Sequence, residues 1–212
     1  MSLFNRIDLI QLRSCIAADQ RVQLLRHLRQ GLPPGTELLL QPTLPGVHNG
    51  GDLLRKLRCA GAAAPPPGDE QGLIAHVDSA VYADGENGGD WNGSGIYRTL
   101  LLSVKPGAAP EAVARFECEL LAMPRYIGSI RAWRLSQVAQ AGGARRWTHV
   151  WEQRYDTLAG LQGTYMLYPY HWAWVDRWFD PESPHWIVDT RLCHSFCSLG
   201  QTLSVDGGAT PR

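Results

Sequence analysis

Twice along its 212 residues the chain runs through the same order of predicted elements, and this repetition limits the fold more than any other feature. In the first pass, residues 6–13 alternate as a strand with Ile7, Leu9 and Gln11 on one face. A helix capped by Asp19 follows, with Val22, Leu25 and Leu28 as its buried stripe and Gly31 and Pro33-Pro34 as its stop. Residues 37–40, 53–59 and 73–82 read as three more strands. The last two are separated by a loop around Pro65-Pro66-Pro67, which cannot hold a long helix. The second pass has a strand over 96–105, a helix opened by Pro110 and closed by Pro124, and strands over 130–138 and 147–155. A helix broken at Pro169 then spans 156–179, and a last strand spans 186–197.

Residues 52–59 align with 148–155, and Val77-Asp78-Ser79 with Val188-Asp189-Thr190, each of these last in the final strand of its half. Each half is then β-α-β-β-(α)-β, the split βαβ, ferredoxin-like order. The expected fold class is α+β: two ferredoxin-like halves forming an intramolecular dimeric α/β barrel by tandem duplication. Residues 1–83 form a half that lacks the second helix, and 84–95, with its five glycines, is a linker. Residues 96–199 form the half carrying the candidate pocket, and 200–212 a flexible tail.

Charge excludes one class of function. With 20 basic and 20 acidic residues the formal net charge is zero, so the chain lacks the basic face through which nucleic-acid binders neutralise phosphate. Arg6, Asp8 and Arg13 interrupt the apolar residues near the N-terminus, which therefore lacks the apolar core of a signal peptide. No apolar run approaches the ~20 residues that span a bilayer. A cytoplasmic protein without membrane or nucleic-acid partners is the expectation. Five scattered cysteines fit reduced thiols, and the arginine-rich, lysine-poor composition fits a GC-rich, bacterial genome. No cofactor motif is present. Cys193, His194 and Cys197 invite a metal, but on a strand His194 takes the face opposite the two cysteines, so none is expected.

Chemistry concentrates between Trp147 and Phe179. Seven of the eight tryptophans lie between Trp133 and Trp186. Strand alternation puts His149, Trp151, Gln153 and Tyr155 on one face, toward the helices. On the broken helix Leu158, Leu161 and Tyr165 share one face, and His171, Trp174, Val175 and Trp178 another. The kink at Pro169 aims Tyr165 and His171 at His149, in a pocket walled by Trp151, Tyr168, Trp174 and Trp178. A histidine there can abstract a proton beside a carbonyl, a tyrosine can hold the enolate oxygen, and His149 can polarise the carbonyl or orient the base. The same residues also suit a non-catalytic ligand pocket, or a packed core in which hydroxyl and imidazole satisfy each other. The first half has Leu53 in the place of His149 and reads as a scaffold.

Thr148-His149-Val150 on a strand, Tyr165, Tyr168-Pro169-Tyr170-His171 and the closing Val188-Asp189 together resemble the stress-responsive A/B barrel (Dabb) family over about residues 96–197. That family is of the dimeric α+β barrel type, and a tandem chain resembles its dimer made within one polypeptide. Further association of chains is compatible with it. In the family branch similar to the plant polyketide cyclase that makes olivetolic acid, residues matching His149, Tyr165 and His171 carry an aldol-type ring closure. The second histidine is its general base. Tyr168 departs from the family's usual histidine before the proline. The resemblance implies a protein that takes a small hydrophobic carbonyl compound, either as a cyclase or lyase or as a non-catalytic stress-related module.

Overall fold

The computed structural model describes residues 3–61, 65–69 and 72–200. The expected flexible tail, apart from Gly200, lies outside them. Strand β1 (Leu3–Leu12) leads to helix α1 (Ala18–His27), then to strands β2 (Glu37–Pro42), β3 (Leu53–Ala60), β4 (Ile74–Ala83) and β5 (Glu86–Gly89). After β6 (Gly95–Leu102) come helix α2 (Pro110–Tyr126), β7 (Ala132–Gly142), β8 (His149–Tyr155) and, at the end, β9 (Cys193–Leu199). The architecture is α+β: a curled antiparallel sheet in the order β2-β3-β1-β4-β7-β8-β6-β9, with β5 paired to β7.

Two runs of strands pair in a similar register. Leu9 of β1 faces Leu54 of β3 and Asp78 of β4. Leu101 of β6 faces Val150 of β8 and Cys193 of β9. Cys193 thus stands opposite Leu101 as Asp78 stands opposite Leu9. The expected last strand is corrected accordingly: Val188 makes only an isolated bridge to Val104, ahead of β9.

Three local expectations change for physical reasons. Asp19 sits inside the first turn of α1, and Ala17 is the cap, its N–H bonded to the Gln20 side chain at 3.0 Å. Helix α2 continues past Pro124 to Tyr126, and the Ile127 N–H bonds the Met123 carbonyl at 2.8 Å, closing the last turn beyond the proline. The glycine-rich stretch expected as a linker contains β5. Gly85 and Gly89 approach the backbone of β7 so closely that a Cβ would stand 1.9 and 2.2 Å from its carbonyl oxygens or those just before it. Glycine is there because the sheet leaves no room for a side chain.

One face of the sheet carries the helices, and the other joins the halves. On the helix-free face Ile7, Leu9, Leu54, Ala80 and Tyr82 pack with Tyr97, Leu101, Val150 and Cys197. Burying each large apolar side chain there stabilises by about 1.5–3 kcal/mol. Among them Glu152, fully buried, meets the Lys56 ammonium and accepts the Tyr97 hydroxyl at 2.6 Å, with Arg134 at 3.7 Å. Burial pushes its carboxyl pKa up, but Lys56 and Arg134 outweigh that and hold it below the ordinary range. The far edges of the sheet also approach: Leu44 N–H bonds Phe196 O at 3.0 Å, and His48 N–H bonds His194 O at 2.9 Å. Among the described residues, no helix is long and apolar enough to cross a membrane.

Candidate functional site

Strand β6 is buried along nearly its whole length, with Ile96, Leu100 and Leu102 beneath the helices. Arg98 interrupts that apolar row. It is 3% exposed, so its guanidinium must be satisfied from within. Nη1 donates to the Tyr165 hydroxyl oxygen at 3.0 Å and to Gln153 Oε1 on the facing strand, and Nε donates to His194 Nε2 at 2.8 Å. A guanidinium only donates, so His194 must accept through Nε2 and carry its proton on Nδ1. Burial, then the Arg98 charge, lower the His194 pKa to about 2, consistent with this neutral tautomer.

Above Arg98 the segment between β8 and β9 winds as two wide π-type turns, Gly160–Tyr165 and Tyr170–Val175, on either side of Pro169. Helical interruptions of this kind commonly mark functional sites. The first delivers Tyr165 and the second His171, their rings 4.5 Å apart and inclined at 60°. A cavity of about 200 Å³ opens between this segment and the sheet, lined by Arg98, Trp151, Tyr165, His171, Asp176 and His194 among apolar side chains that include Leu100 and Phe179.

The polar groups are tuned by their surroundings. Burial first, and Arg98 second, depress the His171 pKa to about 4, so the imidazole is neutral at neutral pH. Its buried Nδ1 has no hydrogen-bond partner, and Asp176 Oδ2 stands 3.6 Å away. Burial raises the Asp176 carboxyl pKa while Arg98 opposes it. Burial likewise keeps the Tyr165 phenol protonated, against the pull of Arg98. Because Arg98 donates to the phenol oxygen, the phenol proton points elsewhere; Met123 Sδ is 4.0 Å off. The site thus offers a cation, a hydroxyl donor and a neutral imidazole around an apolar space.

The cavity brings together three of the predicted residues, Tyr165, His171 and Trp151. His149 lies on the same face of β8 but outside the cavity, edge-on to Phe116 at 5.8 Å, with Glu117 at 2.9 Å and Thr148 at 2.8 Å. Strand β8 carries it past the end of the cavity, under α2. Trp178 is buried elsewhere, donating to Glu119 at 2.6 Å, and Tyr168 packs at the margin of the core. Trp174 is 50% exposed beneath the Arg177 guanidinium, because the wider winding rotates it out of the stripe shared by His171 and Val175. Arg98, Asp176 and His194 are additions. Arg98 had a readable signal, as a lone charge within an apolar strand.

A larger hollow of about 310 Å³ lies beside Lys56, Arg58, Trp91 and Arg134. Its cations are already matched by Glu152 and Asp84. In the smaller cavity the Arg98 guanidinium is hydrogen-bonded to neutral groups instead.

The chain has the fold of several solved structures. An anthrone oxidase-like protein superposes with TM-score 0.66 over 97% of both chains at 10% identity. A major regulator of staphylococcal pathogenesis gives 0.53 over 91% of this chain and 97% of its own, at 8% identity. A chlorite dismutase variant from Candidatus Nitrospira defluvii gives 0.52 over 92% and 90%, at 10% identity. At such identities the likeness concerns the fold alone. No curated protein matches the chain. The model of the stress-responsive A/B barrel domain matches residues 96–190, the stretch that supplies every lining residue named above except His194. Residues 96–190 are a stress-responsive A/B barrel (Dabb) domain.

Proposed function

We propose that the cavity over Arg98 takes a small hydrophobic carbonyl compound, and that its chemistry is proton abstraction of the cyclase or lyase type. The observation that carries this reading is the meeting of Tyr165 and His171 over the buried Arg98 guanidinium. A carbonyl oxygen between the Tyr165 hydroxyl and Arg98 would gain two donors, and the gain grows as negative charge develops on it. His171, neutral and within the same cavity, is the base. Burial depresses His171 most and Arg98 second, and a charge forming beside Arg98 would offset the second of these as the proton moves.

A second reading, ligand binding without turnover, is supported by that depressed pKa of about 4, which makes the free imidazole a weak base. Deuterium exchange distinguishes them. With phenylacetone in heavy water, the catalytic reading expects exchange next to the carbonyl well above the buffer rate, reduced about 100-fold in His171→Gln. Binding of the ketone without accelerated exchange leaves only the binding reading, and absence of binding removes both.

The architecture enters this proposal as a tandem duplication that closes an intramolecular barrel. The equivalent strand orders and registers of the halves support that view. The first half would then be the scaffold that covers the helix-free face of the second.

A further inference from the structure

The two halves place an arginine at the same point of the sheet. Arg6 of β1 faces Leu57 of β3, and Arg98 of β6 faces Gln153 of β8. By the register that equates Leu9 with Leu101, these are corresponding positions. So are Asp8, which faces Arg55, and Leu100, which faces Trp151. In the first half Arg6 has a carboxylate: its Nε donates to Asp8 Oδ1 at 2.7 Å, and Arg55 donates to Asp8 Oδ2 at 3.1 Å. In the second half Leu100 stands where that carboxylate would be. Arg98 has only neutral partners there, namely Gln153, Tyr165 and His194.

A buried charge without a counterion is unfavourable, and the first half shows how this sheet resolves it. The other cavity groups do not resolve it in the second half. His171 and His194 are neutral, and Asp176, whose carboxyl feels the Arg98 charge, makes no hydrogen bond to the guanidinium and stands instead 3.6 Å from His171. Asp176 is also half-exposed, at the rim beside His171.

We infer that the ligand of this cavity is a small apolar carboxylic acid, its carboxylate held by Arg98 in the place that Asp8 fills in the first half, which leaves the Tyr165 hydroxyl to the reacting carbonyl oxygen. This rests on the reading of the cavity as a small-molecule site and narrows the carbonyl compound to one bearing an ionised acid group. A hydrogen-bonded pair of guanidinium and carboxylate is among the strongest ion pairs available, Nη2 of Arg98 is the donor its neutral partners leave for it, and Trp151, Leu100 and Phe179 would enclose the apolar remainder.

The test compares matched probes on the full-length protein by titration calorimetry at neutral pH. Phenylacetate, 3-phenylpropionate and hexanoate are each set against the methyl ketone of the same skeleton. The inference expects each acid that binds to bind at least about tenfold more tightly than its ketone. It expects Arg98→Gln to bring the pair within about twofold. Leu100→Asp, which restores a carboxylate from within, should also abolish the preference for acids. Ketones that bind as well as their acids to the unaltered protein would overturn the acid assignment and leave the carbonyl-binding cavity standing. A protein that binds none of the six would overturn both.

Discussion

The Tyr165 hydroxyl accepts from Arg98 Nη1 at 3.0 Å, joining the wide turn above the cavity to the strand beneath it. The guanidinium carbon lies 4.7 Å from the centre of the Tyr165 ring, so the arginine holds both the face and the hydroxyl of one side chain. Tyr165→Phe should cost about 1 kcal/mol of stability, because Gln153 and His194 still satisfy Arg98. It should slow the deuterium exchange proposed above about 100-fold, since the donor to the developing oxyanion is gone. Denaturant unfolding and the exchange assay, run on the same variant, separate the two effects.

His149 has a different future under substitution. Its imidazole is edge-on to Phe116 and bonded near Glu117 and Thr148, outside the cavity. His149→Ala should destabilise by about 2 kcal/mol and leave ligand affinity within about twofold of the unaltered protein. An affinity loss without a stability loss would return His149 to the site.

Glu152 tests the union of the halves. It comes from the second half, and Lys56 from the first. Glu152→Gln leaves Lys56 and Arg134 facing a neutral amide in a buried setting and should cost about 3–5 kcal/mol. Urea unfolding should remain a single transition that moves to lower urea. A split into two transitions would mean that the halves fold separately.

The buried imidazoles set an acid limit. His171 and His194 have folded pKa values of about 4 and about 2, both below the ordinary value of 6.5. Between about pH 6.5 and 4 the unfolded chain therefore binds protons that the folded chain refuses, so stability is full above that window and falls as pH drops through it. Each imidazole contributes up to about 1.4 kcal/mol per pH unit. Unfolding free energies measured from pH 7 to 4.5 should fall, and fall less steeply in His194→Gln. An unchanged slope in that variant would contradict the burial of His194.

The parts of this fold legible in the sequence are those whose pattern is local. Strand β8 alternates His149, Trp151, Gln153 and Tyr155 toward the helices, and β9 alternates Cys193 and Cys197 against His194, as periodicity predicts. Strand β5 was not legible, because its glycines carry no hydrophobic pattern and are selected by close backbone approach. The same holds for α2 beyond Pro124, where the missing N–H falls in a last turn held by the Ile127 bond. Within the site, Tyr165 and His171 follow from spacing, whereas Trp174 depends on the winding of the turn, which spacing does not reveal. Arg98 and His194 meet only through the pairing of β6 with β9, a contact between residues far apart in the chain.

The most direct measurement is a thermal-shift scan of the unaltered protein and His171→Ala against aromatic and β-keto compounds, acids included. A ligand present at about 100 times its dissociation constant stabilises by about 2.7 kcal/mol. For a chain of this size that is a shift of roughly 2–4 °C per kcal/mol. At least one compound should raise the melting temperature of the unaltered protein by several degrees and shift a folded His171→Ala, which lacks one wall of the cavity, clearly less. A panel without any shift, together with a His171→Ala that melts far below the unaltered protein, would make His171 a packing residue and contradict the account.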